Sequence, residues 1–486
     1  MGKRRAAFVG LVLLCSCKQE EGASEEETST GTGGIVTVGN DTGPKLDLGG
    51  GADSTGGPVG CGGDASCAGV IDLLFVIDNS GSMGEEQANL ARNMPLLVQQ
   101  LEMLEDVDGN VIVPDVHIMV TTTDNDNPLC APYYPAGRSA EHGAPIATAC
   151  TDRIERFTSV SQPPDDQSDV CTDICPTPVA PSGNFITLSP GGDNVTDVAD
   201  ADVNGDGVPD DAVAQALACI GPQGIDGCGY ESPLEAMRRA LDPEAEWNQG
   251  GNGFLRAGGV LAVAIITDEA DCSIASEGVM TDMQWQEDNP DTMMPVPSSA
   301  ICWNAGMSCD GPDGNGVYDN CHSTGDALFP TDEYSALLQG LGRPVVMLGI
   351  LGVPEVTAHA EEPPYQPTAG GVMDLEIRDW RDPEYPTGDI LPDDWAEGRD
   401  AAHQTWVYGI GPGCTGEDGN GGFTGQAIPN VRVQEVCQAL DVADDPDTPM
   451  SEAAVRCCIE SICDTDFSDA LRCLAGLIEE NVTPQG

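Results

Sequence analysis

The chain has 486 residues, and 81 acidic against 19 basic side chains give it a formal net charge of −62 and an isoelectric point near 4.1. A surface this acidic repels polyanions and excludes nucleic acid as a partner. Cations, basic proteins and sugar surfaces bridged by divalent ions remain compatible with it.

Lys3, Arg4 and Arg5 precede an apolar run over 6–14. That run is far too short to cross a bilayer of roughly 30 Å, so residues 1–16 read as a secretory signal peptide. The segment Leu14-Cys15-Ser16-Cys17 that ends it resembles the lipobox of bacterial lipoproteins. The resemblance implies cleavage before Cys17, lipid on Cys17 and a membrane-anchored protein of the cell envelope. Lys18, where some bacteria place an aspartate that retains lipoproteins in the inner membrane, implies the outer membrane, with the folded part in the periplasm or at the surface. Residues 17–69 are dominated by Gly, Ser, Thr, Glu and Asp, a composition that cannot bury enough apolar surface to offset chain entropy, and are expected to form a disordered acidic tether. Of 20 cysteines, Cys15 leaves with the signal and Cys17 takes the lipid, so 18 remain. An even number in an exported chain reads as nine disulfides. Zinc is disfavoured, since Cys171, Cys175, Cys457 and Cys458 form no paired CxxC framework and only five histidines accompany them.

The continuous apolar run 71–77 reads as a strand buried on both faces, and 85–104 carries Leu90, Met94, Leu97, Leu101 and Leu104 at helical spacing. Between them lies Asp78-Asn79-Ser80-Gly81-Ser82, a D-x-S-x-S loop at the carboxyl end of a strand, where doubly wound sheets place ligand sites. Carboxylate and hydroxyl oxygens suit magnesium or manganese and leave a coordination position open to a ligand from another molecule. A further strand is expected over 116–123. An insertion over 124–218 follows, and within it Asp200, Asp202, Asn204, Asp206, Asp210 and Asp211 alternate with glycines in a pattern resembling calcium loops of the EF-hand and thrombospondin-repeat kinds. After a helix over 233–241, the run 260–266 supplies another central strand that ends beside Asp268, on the same edge as Asp78.

Asp78, Ser80, Ser82 and Asp268, in that order with a helix between, resemble the metal-ion-dependent adhesion site of von Willebrand factor A domains. The resemblance spans 70–482 and implies a doubly wound, mostly parallel, Rossmann-like α/β sheet with long disulfide-rich insertions. It makes those four residues ligands of a divalent ion, magnesium or manganese with calcium as the alternative, gripping a carboxylate of a protein or cell-surface partner. The family's threonine ligand is replaced: Glu231 or Ser232 stands at the matching place, and a glutamate there would add charge to the shell. The segments Gly227 to Glu231, Thr267 to Ser273 and Ser461 to Asp464 resemble segments of cysteine-rich bacterial lipoproteins of this class.

Further along, insertions are expected over 272–330 and 354–430, a helix over 332–341, a strand over 343–351, an outer strand or hairpin over 405–410 and a covering helix over 466–480. Signatures of hydrolases and nucleotide-binding enzymes are missing, and the histidines are scattered, so no catalytic residue is expected. A structural envelope protein whose metals only stabilise the fold is the competing reading, ahead of a metal-dependent hydrolase.

Overall fold

The computed structural model describes residues 68–482 apart from 106–110, 135–136, 160–163, 197, 199–200, 326, 382–400, 418–422 and 442–454. The signal peptide, Cys17, nearly all of the tether and Asp200 therefore lie outside the described residues. The strands of the central sheet are β1 (Ala68–Ile77), β2 (Val113–Thr122), β3 (Ile186–Ser189), β4 (Gly192–Asp193), β5 (Val260–Ile266), β6 (Val345–Leu351) and β7 (Cys457–Ser461). They form a seven-stranded sheet in the order β7-β6-β5-β1-β2-β3-β4. The five strands from β7 to β2 run parallel; at one edge β3 is antiparallel to β2, and β4 is antiparallel to β3.

The apolar run of β1 is explained by burial on two faces. Leu73, Phe75 and Ile77 enter one core with α1 (Gly84–Glu102), α2 (Ala212–Ile220) and, through Leu471, Leu474 and Ile478, the helix α7 (Ser468–Asn481). Leu74 and Val76 point the other way, into a second core shared with α3 (Pro233–Ala240), α4 (Thr331–Gln339) and α6 (Val431–Gln438). Alternate side chains of a strand face opposite ways, so each layer of helices takes one set.

Two expectations change. Residues 405–410 are not an outer strand: α5 (Ala401–Tyr408) is a helix, and Trp406, 3% exposed, donates its indole N–H to the Val296 carbonyl at 3.2 Å. The outer parallel position belongs instead to β7. The expected insertion at 124–218 also contributes to the domain itself, since β3 and β4 extend the sheet and α2 is buried against α1. Eight disulfides join the sixteen cysteines among the described residues, while Cys61 and Cys67 lie outside them.

In register, Ile77 stands beside Ile266 of β5 and Thr122 of β2, so the carboxyl ends of three strands meet at one edge. The chain continues from β1 to β2 on one side and to β5 on the other. This switch point opens the crevice in which open α/β sheets bind ligands.

Candidate metal centre

Asp78 leaves β1 fully buried, with its backbone N–H donating to the Ile266 carbonyl at 2.9 Å. Its carboxylate accepts from the Ser80 N–H at 2.8 Å and from the Thr267 hydroxyl at 2.6 Å. The Ser80 and Ser82 hydroxyls lie 3.2 Å apart, and Ser82 is near enough to Asp268 to favour its ionised form slightly. Gln87, one turn into α1, donates to the carbonyls of Asp78 and Gly224 at 2.8 and 2.9 Å, tying the loop to the segment that carries Gly227. A side chain on Gly227 would meet the Asn79 carbonyl oxygen at 2.6 Å, so only glycine lets these loops approach so closely.

From the loop before α3, Glu231 comes close enough to Asp78 to feel its charge, and the Thr123 hydroxyl at the end of β2 donates to its Oε2. Ser232 takes another course, donating its hydroxyl to the Cys272 carbonyl at 2.9 Å. Asp78 thus has Ser80, Glu231 and Asp268 around it and Ser82 beside Ser80, but the carboxylates of Asp78, Glu231 and Asp268 are not all drawn within coordinating distance of one another. Reading the sequence missed Thr123, Thr267, Gln87 and Glu86; the two threonines were recoverable, because each immediately follows the last residue of a strand in register with β1.

Among the described residues, no cationic side chain pairs with this acidic cluster. Burial pushes the Asp78 carboxyl up to about 6, against the lowering effect of the Thr267 and Ser80 hydrogen bonds. Burial, then the charge of Asp78, raises Glu231 and Asp268 well above the carboxylate range, and Glu269 is raised by burial and by Asp268. Glu86 is pushed up to about 7, mainly by burial. Glu231 Oε1 and Asp268 Oδ1 are buried with no hydrogen-bond partner among the described residues. The nearby guanidinium of Arg138 is already engaged, pairing with Asp124, Glu141 and Asp226 at 3.2–3.3 Å. Buried carboxylates that repel one another are stable only when protonated or when a cation joins them. Oxygen donors alone make up this cluster, which fits a hard divalent ion such as magnesium, manganese or calcium.

Two other places gather side chains of metal-ligand type. In the loop of the first insertion, Asp202 accepts from the Asp206 and Gly207 amides at 3.0 and 2.8 Å, and Asp210 from the Val203 amide at 2.6 Å. Asn204 and Asp206 also accept from loop amides, at 3.0 and 2.7 Å, while Asp211 caps α2 by accepting from Ala214 N–H at 2.9 Å. The sulfurs of Cys458 and Cys473 converge with Glu460, but they are bonded to each other, so this trio offers no thiolate to a metal. Glu460 hydrogen-bonds His359 at 3.2 Å, and burial pushes its carboxyl up to about 8. No family model matches the chain, and no curated protein or solved structure matches it.

Proposed function

We propose that this chain is a divalent-cation-dependent binding module of the von Willebrand factor A type, anchored through Cys17 in the cell envelope at the outer membrane. It grips a protein or surface partner by a carboxylate and catalyses no reaction. Asp78, Ser80, Ser82, Glu231 and Asp268 would hold the ion. When bound, a magnesium, manganese or calcium ion supplies an electrophilic position for an incoming carboxylate. The loop at 200–211 would take calcium as a second ion. The observation that carries the reading is the pair of unpartnered carboxylate oxygens, Glu231 Oε1 and Asp268 Oδ1, buried around Asp78. The placement of these residues at the switch point of a mostly parallel sheet supports it further.

Glu231 also favours a second reading. Its extra charge would damp the ion's pull on a partner, leaving a metal that only ties the β1, β2 and β5 loops together. Calorimetric titration of the full chain with magnesium, manganese and calcium, beside the double variant Asp78→Ala, Asp268→Ala, tests both. The adhesive reading expects one binding event to vanish in the variant while circular dichroism is unchanged. Identical titrations would reduce the motif to a capping loop. Metal binding whose removal melts the fold, with no effect on any partner, would favour the stabilising role.

A further inference from the structure

Ser82 and Asp268 are shared between the cluster and an open cleft of about 810 Å³. This is within the roughly 300–1,000 Å³ typical of ligand sites. One wall is the start of α1, with Glu85 and Glu86; a second is the short helix Asp169–Thr172, with Asp169 and, just beyond it, Asp173. The turn between β7 and α7, with Asp466, and the hairpin Cys414–Glu417/Phe423–Ala427 complete it. Among the described residues, seven acidic side chains and one basic one, Arg92, line this cleft. Asp268 is 6% exposed with Oδ1 unpartnered, and Glu86 Oε2 is likewise buried without a hydrogen bond.

We infer that the cleft receives a lysine- or arginine-bearing polypeptide segment of the partner, flanking the carboxylate that reaches the metal. The inference rests on the proposed cation site for the position of that carboxylate. It rests on the cleft's own charge for the basic flank. A ligand that answers both neighbours must carry a carboxylate and cations on one framework. A peptide with a basic residue beside an aspartate does so, and a free polyamine, lacking the carboxylate, does not. The walls are set before any ligand arrives: Cys171, in the Asp169–Thr172 helix, is bridged to Cys150, and Cys463, in the β7–α7 turn, is bridged to Cys414 of the hairpin. Asn89 of α1 also donates to the Asp464 carbonyl at 3.1 Å. A groove held in this way loses little conformational freedom on binding.

The test uses the full chain in saturating magnesium, titrated with the synthetic peptide Gly-Lys-Lys-Asp-Gly, its counterpart Gly-Gly-Gly-Asp-Gly, and spermidine. The basic peptide should bind about tenfold more tightly than its lysine-free counterpart, an advantage expected from several partly exposed ion pairs acting together. Raising the salt should erase the advantage. The triple variant Asp169→Asn, Asp173→Asn, Asp466→Asn, which touches no proposed metal ligand, should erase it too while magnesium binding is unchanged. Equal binding of the two peptides, or a preference that survives both high salt and the variant, overturns the inference. Spermidine binding as tightly as the basic peptide overturns the commitment to a polypeptide. If magnesium fails to bind but the salt-sensitive preference persists and disappears in the variant, the cation reading falls and the basic-segment inference stands. Magnesium binding with no preference has the opposite meaning.

Discussion

Glu231 puts a further carboxylate beside Asp78, where a neutral hydroxyl would have added no charge. Without a cation its folded form holds a proton well above the usual carboxylate range, whereas the unfolded chain releases that proton near 4.5. A raised folded pKa gives stability that is full below 4.5 and is lost as pH rises toward the folded value. Glu231→Gln mimics the protonated form without needing the proton. In chelator at neutral to mildly alkaline pH, the variant should therefore be more stable than the parent by on the order of 1–3 kcal/mol. In saturating magnesium the order should invert, because a charged oxygen ligand has been lost and ion affinity falls by roughly 10–100-fold. Thermal unfolding in the two conditions measures this, and a shift of the same sign in both would mean that Glu231 serves packing alone. The sequence made Asp78, Ser80 and Ser82 legible because a polar D-x-S-x-S loop directly follows a run that can only be a buried strand. It left Glu231 and Ser232 undecided, since neighbours in a loop differ only in where each side chain turns, and here Ser232 turns to the Cys272 carbonyl.

Among the elements, β1, β2, β5, β6 and the helices α1, α3, α4 and α7 were legible from apolar periodicity, which burial on one or two faces imposes directly. The sequence did not announce β3, β4, α2 or α6, and two further elements show why such misses occur. Residues 405–410 carry the aromatic and β-branched residues that suit a strand, yet Trp406 finds its partner at Val296 and the segment winds into α5 against the helix Ala300–Gly306. β7 is five residues long and includes two half-cystines and the buried Glu460, so it presents no apolar run. The opposite edge of the sheet holds an interaction that no local pattern signals. Asp72 of β1, fully buried, accepts from Arg256 Nε and Arg343 Nη1, both at 2.7 Å, and Arg256 also pairs with Asp115 of β2 at 2.6 Å. Removing the shared anion strands Arg343, whose side chain is 5% exposed. Asp72→Ala should cost about 3–5 kcal/mol in denaturant unfolding. Because the site is at the other ends of these strands, cation affinity at the folded protein should not change. A loss of affinity matching the loss of stability would show that the sheet cannot hold its ligand edge without this anchor.

At the scale of the whole molecule, long acidic loops are tied down by disulfides, and the bridges differ in what they hold. Cys130–Cys228 closes a separation of 98 residues and joins the loop that follows β2 to the loop that carries Glu231, spanning the two sides of the Thr123–Glu231 contact. Cys309–Cys321 closes only 12 residues inside the second insertion, away from the cluster. In the loop-closure picture a bridge over about 100 residues stabilises by roughly 4–5 kcal/mol and one over about 15 by roughly 3 kcal/mol. Cys130→Ser, Cys228→Ser should therefore lower stability more than Cys309→Ser, Cys321→Ser in denaturant titrations. The more informative difference lies in cation affinity. Repulsion of Asp78 by Glu231 and by Asp268 must be overcome when their carboxylates ionise to take an ion, and a covalent tie holds the Thr123 and Glu231 loops together for that step. Loss of the longer bridge should weaken magnesium binding measured on the folded protein, and loss of the shorter should leave it unaltered. Equal affinity in both variants would mean that the Gln87 and Thr123 hydrogen bonds hold the cluster unaided, and that Cys130–Cys228 acts on the fold alone.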